Sequence, residues 1–226
     1  MTKTLVIIQA RMSSKRLPGK ALKLINKKPI ILICVNRLKN RGHNLIVATS
    51  KNKSDDKLVK VLKKNNIKYF RGSKNNVLSR FTTITKKFKP DDLIVRATAD
   101  NILPDGNLIH LLIKELKKRN LNYLSINKKI HLLPKGFSLE IFKVKELTKI
   151  NKLKLNKEHL EHVTLKMYEK KEKKIFIKKL FQKKNLSSKR ATIDTKKDYQ
   201  SMKNYLGKVK NLYQVSSFEL VKKLPL

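Results

Sequence analysis

Apolar residues fall along this chain in short blocks, and their spacing separates strands from helices. Thr4-Leu-Val-Ile-Ile8 is a continuous apolar run, the mark of a strand covered on both faces. Leu45-Ile-Val-Ala-Thr49 and Leu93-Ile-Val95 repeat that pattern. Residues 29–40 read as a helix with Pro29 in its first turn, ended at Arg41-Gly42. Ser54-Asp-Asp56 reads as the cap and acidic first turn of a second helix, whose apolar face is Leu58, Val59 and Leu62. Residues 67–70 predict a short peripheral strand. Val77, Leu78, Phe81, Ile84 and Phe88 stand near helical spacing and predict a helix over 77–88. Residues 108–119 predict another helix and residues 121–125 a strand. This alternation predicts an α/β fold in three layers, a mostly parallel sheet with helices on both faces.

Beyond residue 125 the pattern loses regularity. Residues 128–136 read as an excursion or hairpin and 137–142 alternate like a strand. Helices are expected over 145–150 and 157–170, and an exposed strand over 174–181. A brief strand at 192–194 precedes helices over 197–206 and 216–223, the last with a serine cap. There are no internal repeats and the linkers are short. One domain over 1–226 is therefore expected, with about 128–181 as an irregular excursion.

Composition narrows the reading. A chain of 226 residues with 40% hydrophobic content is long enough to bury one α/β core. The single cysteine, Cys34, excludes an intrachain disulfide and suits a reducing, cytoplasmic setting. It falls in an apolar helix run and reads as a small core residue. No segment approaches the roughly 20 apolar residues of a membrane span, and no signal-peptide pattern is expected. The net charge of +40 allows weak, non-specific polyanion binding at low salt. The cations are mostly lysine, lie all along the chain and accompany abundant Asn and Ile. The charge is therefore read mainly as a composition background.

The stretch Gln9-Ala-Arg-Met-Ser-Ser-Lys-Arg-Leu-Pro-Gly-Lys20 leaves the first strand at its carboxyl end, the edge where open α/β sheets bind ligands. Arg11, Lys15, Arg16 and Lys20, with the hydroxyls of Ser13 and Ser14, suit a polyphosphate. The stretch is neither a Walker loop nor a dinucleotide fingerprint, and on charge alone a solvated basic loop is an equal reading. Asp100 and Asp194 each follow a predicted strand. Either can be a ligand for a hard cation such as Mg²⁺, or simply a turn or helix-cap residue. Glu158-His159 and Glu161-His162 fit no zinc spacing.

The order of residues in the first loop resembles the opening of the cytidylyltransferases that make CMP-activated sugar acids. These include the CMP-KDO and CMP-sialic acid synthetases and the spore coat polysaccharide biosynthesis protein F type. Arg96-Ala-Thr-Ala-Asp-Asn-Ile-Leu103 is similar to that family's Arg-x-Thr-Gly-Asp-x-Pro-Leu. Ile193-Asp-Thr-Lys-Lys-Asp198 is similar to its Val/Leu-Asp-Thr-Pro-Glu-Asp. Val77-Leu-Ser-Arg-Phe81, Leu133-Pro-Lys-Gly-Phe-Ser-Leu-Glu140 and Glu161-His-Val-Thr164 continue the likeness in order. Departures are Ala99 for glycine, Ile102 for proline, Ser138 for aspartate and Lys196-Lys197 for Pro-Glu.

The resemblance implies a nucleotide-diphospho-sugar transferase-like (Rossmann-like) sheet and a nucleotidyltransferase acting on CTP and a sugar acid. It implies nucleotide contacts from Gln9, Ala10, Arg11, Ser13, Ser14, Arg16, Lys20, Arg80 and Arg96. Arg11, Lys20 and Asp100 would be catalytic, Asp100 and Asp194 would hold Mg²⁺, and Lys135, Glu140 and Glu161 would face the sugar. By analogy a homodimer is expected. The alternatives are the same fold using another nucleotide or sugar, or a degenerate basic polyanion-binding protein.

Overall fold

A computed structural model describes residues 2–126, 132–169 and 185–225. Its centre is a six-stranded sheet. The strands are β1 (Thr4–Gln9), β4 (Asn44–Ser50), β5 (Tyr69–Gly72), β6 (Leu93–Thr98), β7 (Tyr123–Ile126) and β8 (Leu139–Lys143), in the order β5-β4-β1-β6-β8-β7. β1 pairs in parallel with both β4 and β6, and β4 in parallel with β5. β8 is antiparallel to both β6 and β7, so it alone runs against the others. A two-residue hairpin of β2 (Leu24–Ile25) and β3 (Lys28–Pro29) stands apart and was not foreseen.

The apolar runs are buried on two faces, as their continuity requires. Val6 and Ile8 point into one core with helix α1 (Ile30–Lys39), α2 (Asp56–Lys64), α4 (Gly106–Lys118), α8 (Lys196–Gly207) and α9 (Ser217–Lys222). Ile7, Ala48, Ile94 and Phe142 point into the other. There they meet α3 (Val77–Ile84), α5 (Val144–Asn151), α6 (Lys157–Glu161) and α7 (Leu165–Glu169). Cys34 lies in the first core, and burial pushes its thiol up to about 12, the Asp100 charge adding and Arg37 opposing. Among the described residues no helix is long and apolar enough to cross a membrane.

Several predicted elements are corrected. Residues 139–143 are not part of an excursion, because β8 is inserted into the main sheet between β6 and β7. The helix expected over 157–170 is two short helices, broken by a turn at Val163 with φ 35. A β-branched residue is costly in that conformation. The strand at 192–194 is instead a single isolated bridge, Asn101 with Thr192, with a second just before it, Lys135 with Arg190. The helix over 77–88 stops at Ile84, and the strand at 67–70 lies two residues later. Ser54 does not cap α2, since it lies inside a short 3-10 turn, Lys53–Asp55, capped by Asn52. The expected strand over 174–181 and residues 128–131 of the expected hairpin lie outside the described residues.

The C-terminal segment is tied down by a buried arginine. Arg37, fully buried, donates to the carbonyls of Leu103 (2.6 and 3.2 Å), Leu212 (2.5 Å) and Val215 (3.1 Å), with Asp105 at 3.9 Å. Burial lowers its pKa and the Asp105 carboxylate works the other way. Replacing it by an apolar residue leaves the Leu212 and Val215 carbonyls without this donor and takes the cation away from Asp105, while Leu103 and Asp105 keep their bonds to Ser217. Arg37→Leu is expected to lower the unfolding free energy by about 3 kcal/mol. Urea denaturation measures that loss, and limited proteolysis should show earlier cleavage after residue 208.

Candidate active site

The cleft opens beyond the carboxyl ends of β1 and β6, where neighbouring strands connect in opposite directions across the sheet. The loop leaving β1 is anchored by Leu17 and Ala21, both buried. Gly19 takes φ 70, which favours glycine, and its N–H donates to the Met12 carbonyl at 3.0 Å. The Ser14 N–H donates to that same carbonyl at 2.9 Å. A 3-10 turn at Lys20–Leu22 then sends Lys20 into the cleft.

Asp100 and Asp194 meet there. Asp100 follows β6 in a turn, and its carbonyl accepts the N–H of Ile193 at 3.1 Å. That bond and the Asn101–Thr192 bridge lay residues 192–194 beside 100–101. The Lys20 ammonium lies 2.5 Å from Asp100 Oδ2 and 3.2 Å from Asp194 Oδ1. Arg16 stands 3.2 Å from the other Asp194 oxygen. The loop at Gly136, with φ +89, packs directly on Thr192, whose Cβ would lie 2.3 Å from an added Cβ.

Asp194 is not a helix cap. Thr195 caps α8, in a capping box with Asp198. Asp198 also accepts the N–H groups of Asp194 (3.1 Å) and Thr195 (2.9 Å) and pairs with both Arg190 nitrogens (2.8 and 3.1 Å). Burial alone would raise its pKa. The Arg190, Thr195 and backbone donors outweigh burial and hold it at about 2.

Gln9, Ala10, Arg11, Ser13, Ser14, Arg16, Lys20, Arg96 and Lys135 line a cleft of about 960 Å³. Glu161 also lines it and pairs with Arg11 at 2.8 Å, across from α6. Two of the expected site residues do not reach the cleft. Arg80 is 1% exposed, because its guanidinium donates to the carbonyls of Ser73 (2.7 Å), Lys74 (3.1 Å) and Ala48 (3.4 Å). It holds the loop that presents Lys74 and Asn75. Glu140 is likewise absent from the lining. Its carboxylate accepts Tyr123 Oη (2.8 Å), Thr164 Oγ (2.8 Å) and the Arg96 guanidinium, so it stands behind Arg96.

Lys15, one of the loop cations, lines the cleft too, as do Lys74, Asn75, Asn101, His162 and Thr192, which were not singled out as site residues. Lys74 has no signal in so basic a chain, while His162 stands inside the Glu161-His-Val-Thr164 motif. Ala99 forms part of the wall, with its N–H on the Gln9 carbonyl at 3.0 Å. Ser138 accepts from Asn101 Nδ2 at 3.0 Å and lies off the lining.

Two carboxylates converging on one cation form a donor set that fits Mg²⁺, which needs one or two carboxylates beside substrate phosphates and waters. Among the described residues no group of three or more His, Cys, Asp or Glu side chains is gathered for a metal. A hard ion here would therefore draw its remaining ligands from phosphate and water.

Comparison with known proteins fits this geometry. A family model described as "Cytidylyltransferase" matches residues 5–224. The chain is 32% identical over 231 residues to the spore coat polysaccharide biosynthesis protein SpsF of Bacillus subtilis (strain 168), covering 98% of this chain and 93% of the relative. A cytidylyltransferase structure from Leptospira borgpetersenii serovar Hardjo-bovis (strain JB197) superposes with TM-score 0.86 at 28% identity, over 98% of this chain and 93% of that one. The structure of a CMP:2-keto-3-deoxy-manno-octonic acid synthetase complexed with CTP superposes with TM-score 0.62 at 14% identity, over 91% and 98%. That last likeness is one of fold.

Removing the shared cation should be felt as repulsion. Lys20→Met leaves Asp100 and Asp194 facing each other, and is expected to lower stability by about 1–2 kcal/mol at low ionic strength. Part of that loss should return in high salt, which screens the pair. Urea denaturation at two salt concentrations measures both effects.

Proposed function

The chain belongs to the cytidylyltransferase family and is a nucleotidyltransferase, and on that premise we propose that it transfers CMP from CTP to a hydroxyl of a sugar acid. The products are a CMP-sugar and pyrophosphate, for assembly of a surface polysaccharide. The observation that carries this reading is the meeting of Asp100, Asp194 and Lys20 at one point of a cleft walled by the basic loop. A sugar hydroxyl attacks the α-phosphorus and gives up its proton to water, the bond to the bridging oxygen breaks, and that oxygen leaves with pyrophosphate.

Arg11, Lys15, Arg16 and Lys20 neutralise the triphosphate and the charge that grows on the departing group. Ser13 and Ser14 donate to its oxygens. Asp100 and Asp194 would hold Mg²⁺, which when bound supplies charge neutralisation at the α-phosphate and the incoming oxygen. Lys135 and His162, which also line the cleft, offer a cation and a donor for an acid group, and Glu161 supplies an acceptor for sugar hydroxyls. Catalysis on this reading is mostly positioning and electrostatics. A homodimer, sized by gel filtration with light scattering, belongs to the same proposal.

Incubation with CTP, Mg²⁺ and a panel of sugar acids should release pyrophosphate with at least one acid. No release from any acid, by folded protein, would refute the proposal. Among CTP, UTP, ATP and GTP, the largest thermal shift is expected with CTP. Asp100→Asn should lower kcat by about 100-fold or more with an unchanged circular dichroism spectrum.

A further inference from the structure

Asp55 is fully buried, yet it has no ion-pair partner within bonding distance among the described residues. Its two oxygens face different elements. Oδ2 accepts three donors from the end of β4: Thr49 Oγ (3.0 Å), the Ser50 N–H (3.1 Å) and the Ser50 hydroxyl. Oδ1 accepts one donor from the basic loop, the Met12 N–H at 2.7 Å. The Met12 carbonyl in turn accepts the N–H groups of Ser14 and Gly19, and Gly19 directly precedes Lys20. One hydrogen-bonded path therefore runs from the rigid sheet, through Asp55 and the Met12 peptide, to the turn that aims Lys20.

A buried carboxylate is costly unless its oxygens are satisfied. Here that satisfaction is divided, three donors on the sheet side and one on the loop side. Arg80 adds to the arrangement. It bonds the Ala48 carbonyl on the same strand end and the loop carrying Lys74, and the Asp55 charge supports its protonated form against burial.

We propose that Asp55 is a positioning residue: it clamps the Met12 peptide to the end of β4 and so fixes where Arg11, Arg16 and Lys20 stand in the cleft. The inference rests on the proposed nucleotidyl transfer for its kinetic readout, but not for its structural one. In Asp55→Asn the amide keeps one acceptor. Turned toward the three β4 donors, it presents an NH₂ to the Met12 N–H, and the loop contact becomes donor against donor. The sheet anchor survives while the clamp is lost.

The first test needs no substrate. By hydrogen exchange and NMR, the Met12 N–H of the wild-type protein should exchange at least about ten times more slowly than the Ser13 N–H. Equal rates would overturn the proposal, even if Asp55→Asn does not fold. The second test uses the CTP-dependent pyrophosphate assay. Asp55→Asn should lower kcat about ten-fold or more, with the KM for CTP changed less than about three-fold, because the loss falls on alignment and not on gross binding. Thr49→Val, which removes one sheet-side donor and spares the Met12 bond, should keep kcat within about two-fold. Wild-type kcat in Asp55→Asn, or an equal loss in Thr49→Val, would overturn the proposal. A wild-type protein with no activity refutes the transfer reading instead, and leaves the exchange test standing.

Discussion

Two ionised carboxylates held at one place repel each other unless a cation lies between them. In this molecule Lys20 is that cation for Asp100 and Asp194. All three side chains stand partly exposed in the cleft wall, so solvent and salt weaken their attraction less than at an open surface but still reach it. Each comes from a different part of the chain, and each is aimed by backbone that has its own reason to be there. β1 lies between β4 and β6, which puts the loop carrying Lys20 beside the turn carrying Asp100. Residues 192–194 are laid on that turn by backbone hydrogen bonds. Capping of α8 then leaves the Asp194 carboxylate free to face the cleft.

The remaining cleft residues follow the same logic of polar groups made secure from behind. Arg96 is backed by Glu140, which also holds Tyr123 and Thr164. Thr164 lies just past the strained Val163 turn that presents His162. Arg80 secures the loop of Lys74 and Asn75. Asp198 secures the backbone of Asp194. Side chains that touch a ligand need this outer support, since a misplaced charge contributes little to a reaction that depends on alignment.

Much of this was legible from residue order. Continuous apolar runs marked the parallel strands, and Asp100, just past a strand end, marked the cleft. Direction and partnership were less legible. Residues 137–142 carry a strand pattern, but nothing in an alternating pattern says that the strand turns back into the main sheet. Ser54-Asp-Asp56 fits a helix start so well that it concealed what Asp55 bonds to. Arg80 and Glu140 stand in motifs similar to a family of nucleotide-binding proteins. A motif does not say whether a guanidinium or a carboxylate is already spent on internal partners. Val163, at φ 35, breaks a helix that periodicity alone would continue.

The separations in this site have a bearing on how the protein comes into being. Lys20 contacts partners 80 and 174 residues away, and Arg37 bonds carbonyls 175 and 178 residues away. During synthesis the first four strands of the chain's central sheet emerge well before Asp194 does. A ribosome paused before that residue holds a nascent chain with Asp100 but without its partner in the cleft. Its Arg37 still lacks the carbonyls of Leu212 and Val215. Completion of the cleft and closure of the core thus both wait for residues 194–215.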